Sequence, residues 1–277
     1  MTAYRAKPTR GCTLNRTHRL GRGLVAAYLF NGAGGLTLRD AAGKSDGTLT
    51  NFAQTAWTGG AFGKTLTFDG TDDYVNVPNN TTLAITGPIT LAAWFRRVAA
   101  SAGQYQAILS RWGGSNSYAL LYDDTSNLLR VSLQGLTTAT VTRSVSIEDG
   151  NWHHAAATYD GANIRLYLDG VQLGADTAST GTITDNAQAL RIGRDNTGFG
   201  TAYWNGQLDA VMIWNRGLNG SEARALYADS FAMFRRRTEW LAMGPIRSGV
   251  FETGDWPVFE APKRTLVFDA PPDRGEA

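Results

Sequence analysis

Residues 151–159 read NWHHAAATY and hold two of the chain's three histidines, His153 and His154, side by side. In an extended strand successive side chains point to opposite faces, so Trp152, His154 and Ala156 share one face while His153, Ala155 and Ala157 share the other. Two neighbouring histidines on a strand therefore cannot close on one metal ion. The third, His18, lies far upstream. The stretch reads as a structural strand, with each imidazole expected to find a hydrogen-bond partner where it is buried.

The same period of two runs outward in both directions. LVAAYLF, ITLAAWFRR, QAILSRW, SYALLY, LLRVSL, NIRLYL and QLDAVMIW are short alternating segments closed by Gly, Asn or Asp. In NIRLYLDGVQL, Ile164, Leu166 and Leu168 alternate with Arg165 and Tyr167, which predicts one dry face and one wet face. The Asp169-Gly170 pair that follows favours a tight hairpin. About a dozen such strands suit an all-β, two-sheet antiparallel sandwich. The period then changes in LNGSEARALYAD. Asn219 is placed to cap a helix, Glu222 stands three residues on, and Ala223, Leu226 and Tyr227 share a helical face. The expected organisation is a basic arm over residues 1–22, a sandwich over 23–230 closed by one short helix, and an extended tail over 231–277.

Composition agrees with a globular chain: 43% of its residues are hydrophobic, 18% are charged, and the net charge is only +2. The charge is unevenly spread, because Arg5, Lys7, Arg10, Arg16, Arg19, Arg22 and Arg39 all precede the first acid, Asp40. Such an arm is either solvated or turned to an acidic surface. The tail repeats Val-Phe-acid in VFETG, VFEAP and VFDAP after an FRRR run. Arg5, Lys7, Arg10, Arg16, Arg19, Arg235, Arg236, Arg237, Phe251, Phe259 and Phe268 are thus the candidate assembly contacts. One cysteine, Cys12, permits no internal disulfide and no cysteine-rich zinc site. The first residues carry no apolar run of secretory type, and Leu24 to Phe30 is too short to span a bilayer. No membrane partner is expected, and synthesis in a cytoplasm is.

The stretches LTFDGTDDYVNV, ITLAAWFRR, NWHHAAATYDG, IRLYLDGVQLG, LRIGRDNTG and WNGQLDAVMIWNRGLNGSEARALY, in this order, resemble the laminin-G-like jelly-roll modules of the concanavalin A-like lectin/glucanase superfamily. The resemblance implies a jelly-roll sandwich, and a function ranging from sugar binding to adhesion to purely structural work. The flanks LNRTHRLGRGLVAAYLFN and LYADSFAMFRRR are similar to stand-alone proteins of tailed bacteriophages and prophages. That similarity implies a virion component, capsid decoration or tail-associated, whose partners are other virion proteins or copies of itself; nucleic acid is not an expected partner.

The glucanases of the superfamily work with two glutamates on one strand. This chain has six glutamates, and only Glu148 falls inside the sandwich. Asp72-Asp73 and Asp123-Asp124 are adjacent pairs that point to opposite faces, which suits turns rather than a catalytic dyad. There is no G-x-S-x-G elbow, and GAGG at Gly32 lacks the lysine of a phosphate loop. The chain is expected to be non-enzymatic. The resemblance also implies a calcium site between an early acidic loop and a late strand. Asp40, Asp46 and Asp209 are its candidate ligands, but Ala42, Lys44 and Ala210 stand where further oxygens are usual. Because Ca²⁺ takes about 6–8 oxygens, either the ion is bound weakly or Lys44 replaces it by pairing with Asp209 or Asp46. No other cofactor is implied. The alternative to a structural protein is a lectin-like module for surface glycans, with Trp112, Asn116, Asp195, Asn196, Tyr203 and Trp204 as candidate sugar contacts on two loops.

Overall fold

The computed structural model describes residues 7–9, 11–32, 34–53, 56–98, 105–113, 115–195 and 202–235, with backbone alone at 113, 115, 116 and 235. All of these belong to one compact unit, Met1–Glu239. The strand His153–Tyr159 pairs antiparallel with Ile89–Arg97 on one side and Asn163–Leu168 on the other. From these neighbours a nine-stranded sheet grows in the order Val171–Gln172, Asn163–Leu168, His153–Tyr159, Ile89–Arg97, Asn205–Trp214, Gly63–Asp69, Trp57–Gly60. Thr177–Ala178 and Leu24–Tyr28 join it at the side. The facing eight-stranded sheet runs Thr140–Ser144, Leu128–Leu133, Ser115–Asp123, Tyr105–Gly113, Leu190–Ile192, Tyr74–Val77, Gly47–Thr50, Thr37–Leu38. The inner faces of both sheets supply one apolar core, which includes Phe68, Leu91, Phe95, Val75, Leu120 and Val211. This is the two-sheet antiparallel sandwich that the alternation predicts and the jelly roll that the resemblance implies.

The two histidines part as a strand requires. His153 lies beside Phe95 on the core side, with Nδ1 2.8 Å from Asp169 Oδ2 and Nε2 3.0 Å from Asp149 Oδ1. His154 faces the other way, beside Trp94 and Tyr227 at ring distances of 5.3 and 6.1 Å. Asp169 and Gly170 both take positive φ (50° and 77°), as the hairpin demands. The Asp169 carboxylate also accepts the His154 backbone N–H at 2.8 Å, so the turn residue fixes the start of the neighbouring strand.

One expectation fails on the outer face of the nine-stranded sheet. Tyr167 is not wet: it is 2% exposed, inside a second apolar cluster with Trp94, Met212, Trp214, Ala223, Leu226 and Leu20. The cover is the helix Gly220–Ala228 together with the segments that flank the sandwich. The helix starts where the sequence places it, with Asn219 Oδ1 accepting the Glu222 N–H at 3.0 Å and Glu222 accepting the Asn219 N–H at 3.1 Å. Thr13–Leu14 pairs with Phe234–Arg235, and Trp214 Nε1 donates to Leu20 O at 2.7 Å. Arg216 donates to the carbonyls of Arg19 and Arg22 while gripping both oxygens of Glu222. Residues 11–22 and 231–235 are therefore part of the packed unit, and the expected borders at 22 and 230 fall inside it. Among the described residues no helix is long and apolar enough to cross a membrane.

The pair of carboxylates around His153 sets a pH dependence. Its hydrogen bond to Asp169, helped by Asp149 and opposed by burial, raises the imidazole above its ordinary 6.5. Bonds from Asn151 and then His153 hold Asp149 down to about 2. The histidine contribution is complete below 6.5 and is lost as pH rises through the raised folded value; the aspartate contribution is complete above 3.8 and is lost as pH falls towards about 2. The difference in melting temperature between wild type and His153→Asn is therefore expected to peak between those ordinary values and shrink on both sides. A difference that stays flat across the titration would contradict the double pairing.

Candidate functional site

The three candidate calcium ligands are each engaged by N–H groups of the chain. Asp40 is buried and accepts four backbone donors. Ala27 N and Ala42 N reach Oδ1 at 2.8 Å, and Lys44 N and Ser45 N reach Oδ2 at 3.1 Å. Asp46 accepts the Asp40 N–H at 2.9 Å and Arg39 Nη1 at 3.1 Å. Asp209 has no exposed side-chain surface, and the cation beside it is Lys7. Its Nζ stands 2.6 and 2.7 Å from the two carboxylate oxygens and 2.5 Å from Lys64 O, and its side chain is only 5% exposed.

This corrects the assignment of that role to Lys44, whose residue is exposed and whose backbone N–H is held on Asp40. Burial pushes Asp209 up to about 6 and pushes Lys7 down, while their mutual attraction opposes both shifts. Asp40, Asp46 and Asp209 do not converge. Among the described residues the one close group of three acids is Asp69, Asp72 and Asp73. It makes turn bonds: Asp69 Oδ1 accepts the N–H groups of Thr71 and Asp72, and Asp73 Oδ2 accepts that of Asp69. Burial, then the neighbouring Asp69, raises Asp73 to about 6.

The tryptophans of the two loops singled out as sugar contacts have no free face. Trp112 is 3% exposed, in a small cluster with Ala107, Ala119 and Leu121. Trp204 is fully buried and meets Phe95 edge-on at 5.5 Å. Asp195 is buried and accepts Ser110 Oγ at 3.3 Å. Tyr203 is half-buried, with the Arg194 guanidinium 5.0 Å from its ring. Asn116 lies in the strand Ser115–Asp123, its Cα opposite Trp112, and Asn196 is outside the described residues. A tryptophan in a glycine-rich hairpin reads alike whether its ring turns in or out, which is why sequence alone misplaced these two.

Trp57 is partly exposed, as is Trp152 among the described residues, and Trp57 is the one that borders a cavity. It opens the edge strand Trp57–Gly60 of the nine-stranded sheet, and the edge strand of the other sheet is Thr37–Leu38. A cavity of ≈ 600 Å³ runs along it, lined by Gly11, Cys12, Asn31, Gly32, Thr37 and Arg39 among others. A second of ≈ 420 Å³, lined by Leu36, Leu49 and Phe52, shares the same tryptophan. A Cβ on Gly32 would lie 2.5 Å from the indole, so only glycine lets the chain run against the ring. Leu36, at 65% exposure, and the open Arg39 side chain flank the groove. Gly32, Gly34 and Gly35 of the GAGG run set aside as a phosphate loop thus line it, and Trp57 ahead of Gly59-Gly60 was the sequence signal for it.

Of the candidate assembly contacts, Lys7 is spent on Asp209, and Arg16 donates to Leu24 O and Ala42 O at 3.3 and 3.4 Å. Arg19 is exposed and Arg235 pairs through its backbone with Thr13. Arg5, Arg10, Arg236, Arg237, Phe251, Phe259 and Phe268 lie outside the described residues.

The family model described as the concanavalin A-like lectin/glucanases superfamily, of laminin G type, matches residues 69–224, and the chain belongs to that superfamily. No curated protein sequence matches it. Among solved structures it is similar to the binding domain of Paraclostridial Mosquitocidal Protein 1, at 17% identity and TM-score 0.59, covering 76% of this chain and 52% of that one. Domain 4 of AbnA, an extracellular arabinanase of Geobacillus stearothermophilus in complex with arabinotriose, matches at 17% identity and TM-score 0.56, over 74% of this chain and 98% of that one. The Trypanosoma rangeli sialidase in complex with sialic acid matches at 20% identity and TM-score 0.56, over 76% of this chain and 33% of that one. The chain thus spans about half of the toxin domain and a third of the sialidase. These likenesses establish the fold.

Removing Lys7 leaves a buried carboxylate without its cation. Lys7→Met is expected to lower unfolding free energy by about 3–5 kcal/mol in urea denaturation, and Asp209→Asn in the same chain to recover much of that loss. An unchanged midpoint in Lys7→Met would contradict the pairing. Calcium is expected to leave the wild-type midpoint where it is.

Proposed function

We propose that this concanavalin A-like chain is a lectin-like carbohydrate-binding module without enzymatic activity, and that its sugar lies against Trp57 in the cleft at the sandwich edge. The observation that carries this reading is the single tryptophan shared by two adjoining cavities. An aromatic face with polar groups beside it is the usual setting for a sugar ring, whose C–H face stacks while its hydroxyls find donors and acceptors. Asn31, Thr37 and Arg39 supply those groups in the larger cavity. Leu36, which lines both cavities, and Phe52 extend the apolar surface.

The acids support the same reading. Glu148 and Asp124 both grip Arg97, and Glu222 closes the helix cap, so among the described residues neither glutamate stands with a second one as a hydrolytic pair requires. The known neighbours include an arabinanase domain bound to arabinotriose, which favours a sugar as the ligand class. Attachment to a phage particle, implied by the resemblance of the flanks, draws less support, because Lys7 and Arg16 are engaged within this chain.

A glycan array followed by calorimetry tests the proposal. Wild type is expected to bind at least one oligosaccharide with or without a chelator. Trp57→Ala is expected to weaken that binding about tenfold or more, roughly 1.4 kcal/mol, while its melting temperature stays close to wild type. An array blank in both conditions would remove the reading.

A further inference from the structure

A second cluster stands away from the tryptophan cleft, on the outer face of the eight-stranded sheet. Val75, Val77, Leu190 and Ile192 point into the core, so Tyr74, Asn76 and Arg191 between them point out. Arg191 lies opposite Asn76, which lies opposite Thr48, so the three share that face in register. Beyond them an isolated bridge joins Arg194 to Tyr203. The Arg191 guanidinium sits 4.9 Å from the Tyr74 ring centre, and that of Arg194 sits 5.0 Å from both the Tyr74 and Tyr203 rings. Cation and ring alternate: Arg191, Tyr74, Arg194, Tyr203.

Arg130 and Arg143 donate to hydroxyls and carbonyls, and other folded arginines are balanced by acids, but among the described residues Arg191 and Arg194 have neither kind of partner. Arg97, Arg111, Arg165 and Arg216 each hold a carboxylate. Arg191 and Arg194 form no ion pair and no side-chain hydrogen bond among the described residues, and Arg191 Nε is buried without a partner. A buried donor left unsatisfied is costly, and such groups in native proteins call for an explanation. The nearby acids do not provide one, since Asp195 is engaged by Ser110, and Asp69 and Asp73 by turn N–H groups. A guanidinium stacked on a ring uses its flat face and keeps its in-plane N–H fork for an anion. The fork matches a carboxylate in two parallel bonds.

We infer that Tyr74, Arg191, Arg194 and Tyr203 form a binding site for the carboxylate of an acidic sugar. The two guanidiniums take the carboxylate, and Asn76 and Thr48 supply an amide and a hydroxyl for the ring hydroxyls. The anion chemistry stands on this cluster alone; only its assignment to a sugar rests on the lectin-like reading.

The test measures binding by the full chain of a sialylated or glucuronate-bearing oligosaccharide and of its methyl ester, which lacks the charge. Wild type is expected to prefer the acid by about tenfold or more, with a preference that weakens as salt rises. Arg191→Gln and Arg194→Gln are each expected to abolish the preference, and Arg194→Lys, which keeps the charge without the fork, to reduce it. Trp57→Ala is expected to leave it intact. Equal binding of acid and ester, or a preference that survives both glutamine variants, would overturn the inference. Inorganic sulfate or acetate binding as tightly as the acidic sugar would overturn the sugar assignment. Sugar binding that depends on Trp57 but ignores the carboxylate removes this inference alone. An arginine-dependent preference in a chain indifferent to Trp57→Ala removes the cleft reading alone.

Discussion

A carboxylate with no exposed surface, Asp209, sits within the long central strand Asn205–Trp214, and the placement of the chain's N-terminal segment follows from neutralising it. The strand pairs with Ile89–Arg97, Gly63–Asp69 and Leu24–Tyr28, and its register slips between Asp209 and Met212, where Ala210 takes a positive φ of 46°. A buried charge of this kind is tolerated only when paired and hydrogen-bonded. The cation arrives from about two hundred residues away in sequence, on a segment that then pairs with Phe234–Arg235 and packs under the helix. The basic arm is thereby a structural element, and at least Lys7 acts inward.

That closure also decides which surfaces remain for a ligand. Helix and terminal segments cover the outer face of the nine-stranded sheet with a second apolar layer. The edge groove at Trp57 is walled in part by that terminal segment, through Gly11 and Cys12, and the outer face at Tyr74 belongs to the other sheet. One carries a partly exposed indole, the other two guanidiniums without an ion pair among the described residues. At the position where the superfamily's resemblance implies a metal ion, Asp40 accepts four amides and Asp209 pairs with an ammonium.

Much of the fold was legible because it is written in local periods. The alternation in NWHHAAATY sends His153 and His154 to opposite faces, Asp169-Gly170 turns as its chemistry demands, and Asn219 with Glu222 opens the helix. What was illegible depends on which distant segment lands on a face. Tyr167 alternates with core residues and reads as wet, until the helix settles on it. Lys44 is near Asp46 in sequence and reads as the substitute cation, whereas Lys7 reaches Asp209 only through the tertiary path of the arm. Trp112 and Trp204 read as loop aromatics and are core. Arg191 and Arg194 stood in LRIGRDNTG, a stretch that signals the scaffold, and nothing in one strand reveals that two arginines share a ring from another.

Amide chemical-shift mapping of the full chain, in chelator-treated buffer during titration with a sialylated oligosaccharide, tests the central claim most directly: that this scaffold binds sugars on its uncovered surfaces without a metal. Saturable shifts are expected, confined to the surroundings of Trp57 and of Tyr74, Arg191, Arg194 and Tyr203. Shifts that appear only after calcium is restored and centre on Asp40 and Asp209, or no shifts in either buffer, would contradict it.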